Sequence, residues 1–326
     1  MMNTKEDKYA KAIASALVSL TDWPREYCIQ EADNFAFDSV QDEWFPEPKI
    51  AAQWIYDEFR KWKAGAADSL EANNEIRKNL INIQIREKVT TLFAIESGSR
   101  AWGFPSPDSD YDVRFVYVRP RDWYLSIEPG RDVIELPIEG DMDINGWDLK
   151  KALGLLLKPN PVLLEWLSSP VKYIWNEWAC DDLLALAKKV THGHACLHHY
   201  LSLGSRQKRV YLDGRETVNL KKYFYVVRPA MVIRWLRMNP TEIPPMNFFD
   251  LKHGIDLGAD VTEHLDELLR KKGDSKELGE APSIKVVDDF ISAEFDWAEQ
   301  AVKVLPKREQ KDLKAEADEL FRKWVK

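Results

Sequence analysis

The stretch from Thr90 to Pro120 constrains the fold of this chain more than any other. TTLFAIES is a short run of strand-forming residues, and it ends in SGSRAWGFPSPDSD, which is dense in turn formers. YDVRFVYVRP then alternates, so that Tyr111, Val113, Phe115 and Tyr117 share one face of a strand. A second pair of runs, DVIELPIEG and DMDING, reads as a strand hairpin around Gly140. WDLKKALGLLLK and NPVLLEWLSS follow as two helices. Strands gathered in one region, with helical segments before and after, indicate the α+β class with a small mixed sheet.

The flanking segments carry apolar residues at helical spacing. AKAIASALVSL and IAAQWIYDEFRKWKAG precede the sheet, separated by the acidic, aromatic stretch NFAFDSVQDEWFPEP. DDLLALAKKV, KKYFYVVRPAMVIRWLRM, VTEHLDELLRKK and KDLKAEADELFRKWVK follow it. The expected division is a helical accessory region over 1–84, a sheet-bearing core over 85–175 and a helical C-terminal domain over 176–326. No internal repeat or low-complexity tract interrupts this order.

Composition removes some functional classes. The 326 residues carry a formal net charge of −8. That argues against a protein wrapped over its whole surface by nucleic acid, because phosphate binding needs clustered Lys and Arg; a local basic cleft is still allowed. Cys28, Cys180 and Cys196 are far apart and form no CxxC motif, which suits free thiols in a reducing compartment. The opening MMNTKEDKYAKAIASAL is charged early and lacks a signal-peptide cleavage pattern, and the longest apolar runs are too short for a bilayer. A cytoplasmic location without a membrane partner is expected.

The chemistry concentrates in SGSRAWGFPSPDSDYD, from Ser97 to Asp112. Asp110 and Asp112 are two apart at the start of a strand, which points both carboxylates to one face. Two hard oxygen ligands on one face suit Mg²⁺, which also accepts phosphate oxygens. Two such ions can activate an attacking hydroxyl and steady the leaving pyrophosphate. Gly98 lets the backbone approach a phosphate closely, and N–H groups at a following helix start would cradle the anion. Ser99 adds a hydroxyl donor and Arg100 a possible phosphate clamp. DxD alone is a weak signal, and an acidic turn of this kind can be simply solvated. The order and distance of the three features carry the functional reading.

GSRAWGFPSPDSDYDVRF closely resembles the polymerase β superfamily pattern, a GS followed by DxD. More narrowly it resembles the bacterial and phage family called RNA repair pathway DNA polymerase β family. DINGWDLKKAL from Asp143, NPVLLEWLSSPVKY from Asn160 and KKYFYVVRPAMVIRW from Lys221 reinforce the match over roughly residues 88 to 250. The resemblance implies a nucleotidyltransferase core with Mg²⁺ or Mn²⁺ as cofactor and a nucleoside triphosphate as substrate. It also implies a third carboxylate on a neighbouring strand, from which the general base would come. Asp143 is the candidate and Asp141 the runner-up, while Asp148 is expected to cap the next helix. The expected metal ligands and catalytic residues are therefore Asp110, Asp112 and Asp143. RNA, as a tRNA or a broken RNA end, is the acceptor the family name suggests.

Weaker signals lie downstream. Lys221, Lys222, Tyr223, Tyr225 and Arg228 fall on one helix, with Lys221, Tyr225 and Arg228 on one face. Lys221, Lys222 and Arg228 are candidates to hold the triphosphate or a nucleic-acid backbone, with a Tyr stacking on a base. The alternative is a helix whose aromatics pack inward and whose cations are solvated. THGHACLHHY, with His192, His194, Cys196, His198 and His199, invites a zinc reading, but no second cluster closes such a site. Arg206, Lys208, Arg209 and Arg215 form either a patch for an acceptor strand or a solvated loop. Two rival functions stand beside nucleotidyl transfer to RNA. One is nucleotidylation of a protein or small molecule, and the other is a non-catalytic binding or toxin–antitoxin module on the same fold.

Overall fold

The computed structural model describes residues 14–15, 71–106, 109–128, 130–138, 140–158, 160–190, 193–274, 279–304 and 313–325. Apart from Ala14 and Ser15, which are helical, the helices expected before residue 66 lie outside the described residues. The chain divides into two compact units, Met1–Glu75 and Ile76–Lys326, and the sheet belongs to the second.

Residues 71–87 form a helix, α1, which belongs to the second unit from Ile76 onward. Ile76, Leu80 and Ile83 recur at helical spacing and are buried. They pack with Val113, Phe115 and Tyr117, the apolar face read from the alternation of YDVRFVYV. Five strands follow: β1 (Thr90–Glu96), β2 (Tyr111–Val118), β3 (Val133–Glu135), β4 (Met142–Asp148) and β5 (Lys172–Trp175). Their order across the sheet is β3-β4-β2-β1-β5. Only β2 and β4 run parallel; the other neighbours are antiparallel. This mixed sheet with helices around it is the expected α+β architecture.

β3 and β4 form the expected hairpin, and Gly140 takes the left-handed conformation in its connection, with φ of 59°. β4 runs two residues further than DMDING suggested. Trp147 pairs with Val116 and Asp148 with Tyr117, so ladder bonds hold residues whose local pattern looked helical. Gly146 stands opposite Phe115, where a Cβ would come 2.3 Å from the ring.

Helices α2 (Ser99–Trp102) and α3 (Arg121–Tyr124) are single turns after β1 and β2. Asp148 caps α4 (Leu149–Leu157) by accepting from the Lys150 N–H at 2.8 Å, as its position predicted. Asn160 caps α5 (Pro161–Leu167), and Asn176 caps α6 (Glu177–Lys189). Next come α7 (Gly193–Tyr211), β6 (Thr217–Asn219), α8 (Leu220–Met238), α9 (Phe248–His253), α10 (Ala259–Asp274), β7 (Glu280–Pro282), α11 (Lys285–Val304) and α12 (Lys314–Trp324). One hydrophobic core runs from Leu92 and Val116, on the second face of the sheet, through α4 to α8 and on to Leu320 in α12. Residues on both sides of position 175 share it. Among the described residues no helix is long and apolar enough to cross a membrane.

Candidate active site

β1 ends at Glu96, and the chain turns through Ser97 and Gly98 into α2. The turn is pinned to β2 by the Ser97 N–H, which donates to the Asp112 carbonyl at 2.9 Å. Gly98 stands so close to Asp112 that a Cβ would lie 1.9 Å from Oδ2, an overlap no side chain can relieve without moving the carboxylate. The glycine of the GS pair is thus required by a carboxylate neighbour.

Asp112 and Asp143 are partners in the parallel register of β2 and β4. Asp143 follows the hairpin turn on the strand itself, half-buried, whereas Asp141 lies in the exposed turn and offers its carbonyl to the Tyr111 N–H at 2.7 Å. Spacing could not choose between these two acids; the ladder puts Asp143 beside Asp112. Arg114, two residues along β2, bridges the pair. Its Nη2 lies 3.2 Å from Asp112 Oδ1 and 2.7 Å from Asp143 Oδ2, and its Nη1 donates to the Asp143 carbonyl at 2.8 Å. Asn145 Nδ2 donates to Asp143 Oδ1 at 2.5 Å. Burial raises the Asp112 pKa, and Asp143 and Asp110 raise it further against the opposing effect of Arg114. Asp110 is exposed at the rim.

The loop between α2 and β2 is closed by hydroxyls and by Arg100. Ser109 Oγ receives the Ser99 hydroxyl at 2.9 Å and the Ser106 N–H at 2.9 Å. Arg100 Nη2 donates to the Ser109 carbonyl at 2.7 Å, and its guanidinium lies 3.8 Å over the Tyr111 ring. Ser99 and Arg100 therefore shape the loop in this structure.

Of the α8 candidates, Tyr225 comes into the neighbourhood of the carboxylates: burial raises its pKa first, and Asp112 and Asp110 add to the rise. Lys222 Nζ lies 4.9 Å from the Tyr225 ring, and Tyr225 meets Trp102 of α2 edge-on at 6.0 Å. The side chain of Lys221 lies outside those the structure describes. Tyr223 is fully buried and bonds Asp288. Arg228 is buried as well; its Nη1 pairs with Glu165 at 2.8 Å, and its guanidinium lies 4.9 Å from the Trp102 ring. It is a core ion pair and does not join the carboxylates, because its place on α8 points into the helical packing. The helical projection that grouped Lys221, Tyr225 and Arg228 describes one stripe, but only part of that stripe borders the site.

Sequence reading missed two participants, Glu96 and Arg114. Glu96 is fully buried under the turn, and its Oε1 accepts from the Asp112 N–H at 2.7 Å. A single acid at the end of an apolar strand and an arginine in an alternating strand carry no local signature.

The donor set suits a hard cation: the Asp112 and Asp143 carboxylates stand in register on neighbouring strands, with Arg114 bonded to both. Among the described residues no group of three or more His, Cys, Asp or Glu side chains converges into a ready-made cage, since Asp110 points to the rim and Arg114 occupies the space between the other two. The described residues of the histidine-rich segment are in no such group. His194 approaches the Val302 carbonyl at 3.4 Å, and His199 packs edge-on against Tyr200. His192 lies outside the described residues.

A model of the RNA repair pathway DNA polymerase beta family matches residues 72–323. The chain is also similar to "Uncharacterized protein YcgL" of Bacillus subtilis (strain 168), at 43% identity over 233 residues, covering 72% of this chain and 88% of that protein.

Proposed function

The chain belongs to the RNA repair pathway DNA polymerase beta family, and from that premise we propose that it moves a nucleoside monophosphate from an NTP to an acceptor hydroxyl and releases pyrophosphate. The observation that carries this reading is the register of Asp112 against Asp143, with Gly98 pressed on Asp112. Asp110, Asp112 and Asp143 would hold Mg²⁺ or Mn²⁺, which when bound stabilises charge on the attacking and leaving oxygens. The bare Gly98 backbone admits the triphosphate to the edge of Asp112, where any side chain would block it. Asp143 accepts the proton of the attacking hydroxyl. The hydroxyl oxygen then bonds to the α-phosphorus as the bond to pyrophosphate breaks. Arg114 and Asn145 hold Asp143 as an oriented carboxylate. Lys222 meets phosphate charge, and Tyr225 offers a ring for the base.

An RNA end is the acceptor that the family's description favours. Transfer to a protein or small molecule is the second reading. It is favoured by the net charge of −8 and by the engagement of Arg100 and Arg228 within the protein. A binding-only module has no need of carboxylates set side by side in the register of β2 and β4, which weighs against a non-catalytic role. Buried Cys180 and Cys196, whose thiols burial pushes up to about 12, suit the reducing cytoplasm.

The test is incubation of the protein with each α-labelled NTP, Mg²⁺ or Mn²⁺, and total cellular RNA or protein. Label in RNA supports the first reading and label in protein the second. Absence of label from every macromolecular and small-molecule product sinks the enzyme assignment.

A further inference from the structure

Glu96 has no part in the transfer chemistry above, yet it touches both halves of the site. It is fully buried, and burial is the largest influence raising its pKa. Its Oε1 accepts from the Asp112 N–H at 2.7 Å and from the Gly98 N–H at 3.4 Å. Its Oε2 accepts from the Tyr173 hydroxyl on β5 at 2.5 Å. The main chain is fixed as well: the Glu96 N–H donates to the Val171 carbonyl at 3.0 Å, and the Glu96 carbonyl accepts from Ser169 Oγ at 2.7 Å. Among the described residues no Lys or Arg forms an ion pair with it. A carboxyl without a cation is costly in the interior. Here it satisfies two backbone donors that neither the sheet ladder nor α2 satisfies.

We propose that Glu96 is a positioning residue: by joining the N–H groups of Gly98 and Asp112 to one oxygen, it sets the distance between the phosphate-admitting turn and the Asp112 carboxylate. This rests on the nucleotidyltransferase reading. The placement follows from the fold. β1 and β2 are antiparallel, with Glu96 opposite Val113, so a side chain of this length from the strand end reaches the neighbouring Asp112 amide. Tyr173, from the other side of β1, steadies the second oxygen. The work is done by reach and acceptor geometry, and the charge is incidental. Glutamine keeps both: its carbonyl oxygen takes the place of Oε1, and its amide donates to the Tyr173 oxygen. Aspartate keeps the charge and loses the reach.

The comparison of Glu96→Gln, Glu96→Asp and Glu96→Ala in the full chain tests this, read by steady-state kinetics and by hydrogen exchange at the Gly98 and Asp112 amides. Displacement of a reacting group by about 1 Å costs about 100-fold in rate. Turnover is therefore expected to fall about 100-fold in Glu96→Asp and Glu96→Ala, with KM for the NTP within about threefold, while Glu96→Gln stays within about threefold of the parent. The reverse order, with Asp active and Gln inactive, would mean that charge matters and overturns positioning. So would parental rates in all three. If the parent protein itself transfers nothing, the nucleotidyltransferase reading fails and exchange decides about Glu96. Slow exchange at both amides, retained in the Gln variant and lost in the Asp variant, supports the proposal, and equal protection in all variants overturns it. Should the shortened variants fail to fold, Tyr173→Phe decides by the same measurements: it frees one oxygen of Glu96, and unchanged turnover and exchange overturn the proposal.

Discussion

Asp112 on β2 and Asp143 on β4 are register partners across a parallel strand pair, and the Arg114 guanidinium spans them at 3.2 and 2.7 Å. Two carboxylates brought this close repel unless a cation lies between them. In the protein alone that cation is Arg114. The same two carboxylates are among those proposed to hold the divalent ion.

Arg114→Met removes the internal cation and leaves the carboxylates uncompensated. The variant is expected to unfold at lower temperature than the parent without metal, and to recover more of that loss than the parent gains when millimolar Mn²⁺ is added. Differential scanning calorimetry with and without Mn²⁺ checks this. Equal metal-induced shifts in both proteins would separate Arg114 from the metal's charge.

Asp110→Ala and Asp112→Ala are each expected to lower turnover on the order of 10³-fold, the equivalent of several kcal/mol of lost charge stabilisation. Asp112→Ala removes a carboxylate whose ionisation is opposed by burial and by two acidic neighbours. Its unfolding temperature is therefore expected to stay at or above that of the parent. Kinetics and thermal unfolding of both variants are the measurements. Near-normal turnover in the double variant would end the assignment.

Gly98→Ala is expected to damage activity more than Ser99→Ala. The new Cβ would overlap Asp112 Oδ2, at 1.9 Å, and push the carboxylate out of register. Ser99→Ala loses one hydroxyl bond to Ser109, worth about 0.5–1.5 kcal/mol. That is at most about a tenfold effect. Kinetics on the two variants discriminate, and equal, negligible effects would remove the turn from the site.

Asp143→Asn is expected to spare triphosphate binding and cut turnover sharply, while Asp141→Asn stays near the parent. Calorimetry for binding and label incorporation for transfer form the paired measurement. Loss in the Asp141 variant alone would reverse the assignment of the third acid.

His199 has its pKa lowered, chiefly by burial, so the folded state prefers the neutral ring. A histidine whose folded pKa lies below its unfolded value contributes stability above the unfolded pKa, about 6.5. That contribution is lost as pH falls through it toward the folded pKa. His199→Gln is therefore expected to flatten the fall in unfolding temperature between neutral and mildly acid pH. Parallel pH profiles for the two proteins would exclude a role for this group.

The strand that carries Asp112 could be read from the chain because period-two alternation is local: each residue's face follows from its neighbour's; Asp110 falls just before it. Turn formers around Gly98 and Gly140, and the cap at Asp148, were legible for the same reason. Asp143 against Asp141 was not, because that choice depends on how β4 lies beside β2. A slip of one residue would turn every side chain of β4 to the opposite face. Arg114 as a bridge and Glu96 as a buried acceptor also exist only once β1, β2, β4 and β5 are assembled. Arg228 went the other way: its charge suggested a ligand, and the packing of α8 against Glu165 made it a core ion pair. Sequence determined which residues could share a face of one element. Tertiary structure decided which of them meet, because register and helix packing are set by contacts between residues distant along the chain.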